Sequence, residues 1–152
     1  MTAWNEIVKD APEFAARVRR RFEMGTNKTL ATLRRDGAPR ISAIEAEFTD
    51  DKVTMGMMGG SLKLLDVRRD PRVALHSPTI EGSPDDPGWP GDAKLAGTAA
   101  ETAAPPGNTI AGAGFFEIDI AEVVLTYVGT PADHLVIESW HAGPGWRRQT
   151  RA

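Results

Sequence analysis

Apolar and polar residues along the chain alternate with two different periods. In "DAPEFAARVRRRFEMG", Phe14, Val18 and Phe22 recur every four residues, which places them on one face of a helix. Asp10 can cap that helix, Pro12 suits its first turn and Gly25 can close its end. The pattern predicts one amphipathic helix of about three turns, with Arg19 to Arg21 as its solvated face. From Lys28 the period falls to two. "KTLATLR" and "RISAIEAEF" flank "RDGAP", in which Asp36 and Gly37 tolerate turn conformations and Pro39 can start the returning strand, so a β-hairpin is expected. Ser42, Ile44, Ala46 and Phe48 share one face of the second strand and are expected to be core. Ala43, Glu45 and Glu47 share the other.

"DDK" turns the chain into "VTMGMM", the third strand of an antiparallel meander. After Gly59 and Gly60, "SLKLLDVRRD" sets Leu62, Leu65 and Val67 among polar residues and is followed by Pro71, predicting a helix of about two turns. "RVALHS", "AKLAGTAAE", "FFEIDIAEVVLTYV" and "HLVIESW" read as further strands, separated by the Pro/Gly-rich stretches "EGSPDDPGWPGD" and "APPGNTIAGAG". Many short strands and few helices point to a small barrel or sandwich. One domain is expected over 1–152, with a loop-rich tail from about 139.

Composition narrows the function. The chain has 152 residues, no cysteine and a formal charge of -3. Its pI is about 5.6, which argues against a nucleic-acid partner, since such partners usually meet a basic face. No apolar run approaches the ~18 residues needed to span a bilayer, and "MTAWNEIVKDAPEF" has acids where a secretory signal would be basic and then apolar. A cytoplasmic protein without a membrane partner is expected. His76, His134 and His141 lack the spacing of a zinc site, and no nucleophile triad is legible.

The stretch "TMGMMGGSLKLLD" carries the most chemistry. A serine at a helix start can cap it, and the free N–H groups of the first turn attract an anion. Gly59 and Gly60 remove Cβ atoms beside the backbone, and Lys63 adds a full positive charge. These residues make a phosphate cradle; equally, they make a glycine turn, an ordinary N-cap and a solvated lysine. Two readings also stay open elsewhere. Met55, Met57 and Met58 can line a flat ring or fill core. His76 can donate a proton or be structural, and Glu45 and Glu47 can be general bases or a polar face.

The order "ATLRRDGAPRISAIEAEF", "VTMGMMGGSLKLLDVRRDPRVAL", "AKLAGTAAE", "FFEIDIAEVVL" resembles the split-barrel flavoproteins related to pyridoxamine 5'-phosphate oxidase, and "ESWHAGPGWRR" resembles the ending of some members. The resemblance implies a mainly β, α+β fold: an FMN-binding split β-barrel of about six antiparallel strands, with an N-terminal helix and a short helix after the third strand. It implies FMN or the deazaflavin F-420 as cofactor, hydride transfer to or from a small redox-active molecule, and a homodimer with its sites at the subunit boundary. By the same resemblance Ser61 and Lys63 contact the phosphate. Met55, Gly56, Met57 and Met58, followed by Gly59 and Gly60, form the strand and turn beside the ring, and His76 and Ser77 lie near its far edge. Ser42 and Trp140 complete the set, Trp140 at the dimer boundary. Trp89 and Trp146 can lie there too or cover the barrel's own end. The loop 81–92 becomes a lid or rim, or only a solvated connection.

The chain also departs from the oxidase pattern. Leu62 stands where true pyridoxamine phosphate oxidases have arginine, Ser42 and Glu47 stand where they have arginine and lysine, and "AKLAGTAAE" lacks their cationic substrate segment. The vitamin-forming oxidation is therefore not expected. Fewer charge-assisted contacts also imply weaker cofactor binding, so a non-catalytic flavin-binding or sensing protein, or a cofactor-less scaffold of the same fold, is the alternative.

Overall fold

In the computed structural model, residues 1–82 and 89–152 are described; the centre of the loop over 81–92 lies outside them. The elements are α1 (Trp4–Asp10), α2 (Pro12–Phe22), β1 (Asn27–Leu33), β2 (Pro39–Phe48), β3 (Val53–Met57), α3 (Leu62–Arg69), β4 (Arg72–His76), β5 (Asp92–Thr102), β6 (Gly114–Val128), β7 (Leu135–His141) and β8 (Gly145–Arg151). The strands pair antiparallel in the order β3-β2-β1-β4-β5-β6-β7-β8, and a further β3–β6 pairing closes the first six into a barrel. This is the split-barrel fold, with one helix pair before it and α3 after the third strand.

The hairpin at "RDGAP" forms as its residues dictate. Gly37 takes φ 85°, its N–H donates to the Arg34 carbonyl at 2.9 Å, and Ala38 N–H donates to Asp36 Oδ1 at 3.0 Å. On β2, Ile44, Ala46 and Phe48 are buried and Ser42 is half-buried, while Ala43, Glu45 and Glu47 face solvent. The barrel interior is filled by these residues with Leu30, Met55, Met57, Leu75, Leu95, Ile118 and Ile120.

Several expectations need correction. The expected helix forms as α2, but a further helix, α1, precedes it: Ala11 sits at φ -141°, ψ 70° between them, because Pro12 cannot donate the N–H that would carry α1 onward. Asp10 caps nothing; its Oδ2 accepts from Trp140 Nε1 at 2.8 Å. The tail after 139 is not loop-rich but the β7–β8 hairpin, with Gly143 at φ 100° and Gly145 at φ 79° in its turn. Arg21 does not belong to a solvated face, for it is only 1% exposed. On α3 the buried residues are Leu64, Asp66 and Val67, whereas Leu62 and Leu65 point outward.

α2 is tied to the C-terminal hairpin by a buried carboxylate. Glu138 on β7 is 2% exposed and takes a two-pronged contact from Arg17, Nη1 to Oε2 and Nη2 to Oε1, each 2.6 Å. Tyr127 Oη donates to Oε2 at 2.6 Å and Trp146 Nε1 to Oε1 at 3.1 Å. Burial pushes the Glu138 carboxyl up, but Arg17, Tyr127 and Trp146 outweigh it and hold the group below its ordinary range. A carboxylate whose folded pKa is depressed stabilises the fold above its unfolded value, ~4.3 for glutamate, and that contribution fades as pH falls further. Glu138→Ala should cost roughly 3 kcal/mol or more, as breaking a buried pair does. Urea unfolding of both proteins at neutral pH and across the acid range below about pH 4.3 checks this: the gap should narrow as the wild-type carboxylate protonates.

Candidate cofactor site

The barrel parts at one seam. The β2–β3 ladder is short, running from Ala46↔Met55 to Phe48↔Val53. Beyond it, residues 39–45 of β2 pair only with β1, while Gly56 and Met57 pair only with β6. The start of α3 lies at this seam, where Lys63 Nζ donates to the Ala43 carbonyl at 2.9 Å.

The turn into α3 is shaped by its two glycines for different reasons. A Cβ on Gly59 would stand 2.7 Å from the Ala111 carbonyl oxygen and 2.9 Å from the Gly112 carbonyl carbon, so this position is needed for close backbone approach. Gly60 has φ 76° and open space around its would-be Cβ. It supplies the backbone conformation and leaves the helix start uncovered. Ser61 follows with N-cap dihedrals, φ -67° and ψ 146°, and its carbonyl accepts from Leu65 N–H at 3.3 Å. Its hydroxyl does not cap: Oγ is buried and has no hydrogen-bond partner. A buried hydroxyl without a partner is costly, and it stands beside first-turn N–H groups that have no intrahelical acceptor. One acceptor-rich anion would satisfy both, with Lys63 adjacent. The residues present therefore fit a phosphate.

α3 is held in this position by Asp66, a residue without an assigned role in the sequence reading. Its Oδ2 accepts from Thr32 Oγ1 at 2.8 Å and Arg40 Nε at 2.7 Å, and its Oδ1 accepts from Arg69 Nη2 at 2.9 Å. Burial pushes this carboxyl up, yet the bonds from Arg40, Thr32 and Arg69 leave it below the usual carboxylate range. The available signal was an acid flanked by leucine and valine in a helix with few polar neighbours on its buried face.

The other expected site residues divide. Met55 and Met57 are core, each 3% exposed, while Met58 is exposed at 68% and Gly56 abuts the Phe115 ring. Ser42 pairs with Leu30 on the inward side of β2. His76 lies on the outer surface in a row with Thr29 and Ala43, two strands from the seam, and its Nδ1 contacts the Ser77 carbonyl at 2.7 Å. Ser77 is structural: its N–H donates to Ala93 O at 2.9 Å and its Oγ accepts from Ala93 N–H at 3.1 Å. Trp140 is neither at the seam nor on a free surface. It is 6% exposed, pairs with Val123, and belongs to the core, because α1 and α2 cover that end of the barrel. Glu45 and Glu47 line a separate groove with Glu23, Met24 and Lys28. Among the described residues no three His, Asp or Glu side chains converge as a metal site, and no helix is long and apolar enough to cross a membrane.

Solved structures share this fold at low identity. A pyridoxamine 5'-phosphate oxidase-related, FMN-binding protein from Nostoc punctiforme superposes with TM-score 0.63 at 10% identity, over 95% of this chain and 96% of that one. PhzG from Burkholderia lata, in complex with tetrahydrophenazine-1-carboxylic acid, gives 0.62 at 12% identity, over 93% and 87%. A heme-binding protein from Mycobacterium smegmatis gives 0.56 at 16% identity, over 100% and 59%. No family profile and no curated protein sequence matches the chain.

Because the Ser61 hydroxyl caps nothing and is buried without a partner, Ser61→Ala should leave stability unchanged or raise it, rather than lose the ~1 kcal/mol of an N-cap. Gly59→Ala should be much more damaging, since rigid backbone blocks the added methyl. Thermal midpoints of the two variants against wild type check the order; a Ser61→Ala loss as large as that of Gly59→Ala would contradict it.

Proposed function

We propose that the chain binds FMN or the deazaflavin F-420 by its phosphate at the start of α3, and that it serves hydride transfer between that cofactor and a small redox-active molecule. The observation that carries the reading is the buried, unpartnered Ser61 hydroxyl beside Lys63 and the free first-turn N–H groups. An FMN-binding protein and an F420 reductase, the latter at TM-score 0.51 and 15% identity, are among the proteins of this fold. Hydride chemistry belongs to the cofactor when it is bound. The protein's share is to hold the phosphate with Ser61, Lys63 and the α3 amides, to present the Gly56–Met58 backbone where β2 and β3 part, and to keep water away. True pyridoxamine phosphate oxidation is not part of this reading, because Leu62, Ser42 and "AKLAGTAAE" replace the cations that reaction uses.

A second copy of the chain would exclude that water. Ile41 (74%), Met58 (68%), Leu62 (58%) and Leu65 (50%) are large apolar residues left exposed around the seam, and contiguous apolar exposure marks an interaction surface. A homodimer covering them places the site at the subunit boundary. One observation favours the alternative of a non-catalytic flavin-binding or cofactor-less protein: Lys63 is already engaged by the Ala43 carbonyl, so part of its charge is committed.

Titration with FMN and with F-420, read by visible absorbance and fluorescence, tests the reading. One of them should bind saturably, and Lys63→Ala should weaken it about ten- to a hundredfold, as losing a charge-assisted hydrogen bond of ~1.5 to 3 kcal/mol does. Flat titrations with both would end the cofactor reading. Light scattering should give about twice 16.4 kDa, and Leu65→Asp should yield the monomer mass without loss of fold.

A further inference from the structure

Three arginines of α2, two of them from the run Arg19–Arg21, border a half-open cavity. Arg17, Arg20 and Arg21, on one face of α2 at three- and four-residue spacing, and Met24 in the turn after it line a cavity of about 250 Å³ together with Trp89, Pro90, Leu125 and Tyr127. It is far from the α3 start: β3 meets β6 at residues 114–117, whereas Leu125 and Tyr127 lie at the other end of that strand.

The polar side of this cavity is cationic. None of its described lining residues is acidic. Arg17 is committed to Glu138 and lies 5.9 Å over the Tyr127 ring. Arg21, 1% exposed, donates through Nε to the Gly91 carbonyl and reaches Asp92 Oδ1 from Nη2 at a long 3.4 Å. Its Nη1 is buried with no partner. An arginine cannot shed its proton to relieve this, so the unmet N–H calls for an acceptor. Burial draws the Arg21 pKa down despite Asp92, the same imbalance expressed as a titration. Arg20 is exposed at the rim and makes no ion pair among the described residues. The remaining wall is Met24, Trp89, Pro90 and Leu125, apolar and partly aromatic.

We propose that this cavity binds a small, single-ring carboxylic acid, with its carboxylate on Arg21 Nη1 and Arg20 and its ring against Trp89 and the Leu125–Tyr127 wall. Guanidinium forks match carboxylates, and the apolar wall needs an apolar body that inorganic anions lack. The volume is below the ~300 Å³ at which pockets for drug-sized ligands begin, which limits the ligand to about one ring. The inference does not depend on the cofactor reading, because the two sites share no residue.

Benzoate is the probe, titrated into the full-length protein by calorimetry and by tryptophan fluorescence, with inorganic phosphate as comparator. One-to-one saturable binding is expected, with quenching that is lost in Trp89→Phe while the calorimetric signal remains. Arg20→Ala, at an exposed position that leaves folding intact, should weaken benzoate at least tenfold, and Arg21→Met should abolish it. Lys63→Ala should leave benzoate affinity within twofold. The proposal is overturned if benzoate shows no saturable binding below about 10 mM, if phosphate binds as tightly, or if Arg20→Ala leaves affinity unchanged.

Discussion

Barrel closure through β3 and β6 is the constraint on which the rest depends. β3 is five residues long and must serve two neighbours: three of its residues pair with β2 and four with the start of β6. Pairing with β6 covers the edge that β3 would otherwise leave free. It also draws β3 away from β2 after only three pairs, and the seam that opens there is the place where α3 begins. The split is thus a consequence of closure rather than a separate feature.

β6 then organises both ends of the molecule. Its fifteen residues pair with β3 at one end and with β7 at the other, and β5 runs beside nearly its whole length. A register shift between Ala96 and Gly97 lets the long β5–β6 ribbon bend around the barrel. Gly97 is needed there, since a Cβ would stand 2.0 Å from the Asp119 carbonyl oxygen. At the β3 end the turn that leads into it, at Ala111 and Gly112, packs against Gly59. At the β7 end it carries Tyr127 to Glu138.

Two of the three helices are docked by a buried carboxylate. Asp66 fixes α3 to β1 and β2 through Thr32 and Arg40, and Glu138 fixes α2 to the C-terminal hairpin through Arg17. In both cases burial opposes the charge and directed hydrogen bonds overcome it. Such pairs fix one arrangement of helix on barrel more than they add to stability. The contrast with Ser61 and Arg21 is informative, because there buried polar atoms remain without partners. Those two positions are where the structure leaves chemistry for something else to complete.

Much of this was legible in the sequence by itself. Period-two alternation gave most of the strands, "RDGAP" the hairpin and the double glycine the turn into α3, because each of these is set by residues close together in the chain; the split barrel was implied by the resemblance of the ordered motifs to a known family. Tertiary structure decided the rest. Whether Trp140 faced a partner or the core depended on where α1 lay. Whether Arg21 was solvated depended on β5 and β6 closing over α2, and whether Ser61 capped its helix depended on a side-chain angle that no neighbour in sequence dictates. Even the tail, read as loop-rich, became strand because β7 offered it an edge to pair with. Local sequence sets backbone periodicity, but burial and the partnering of polar groups are settled by elements that meet only when the barrel closes.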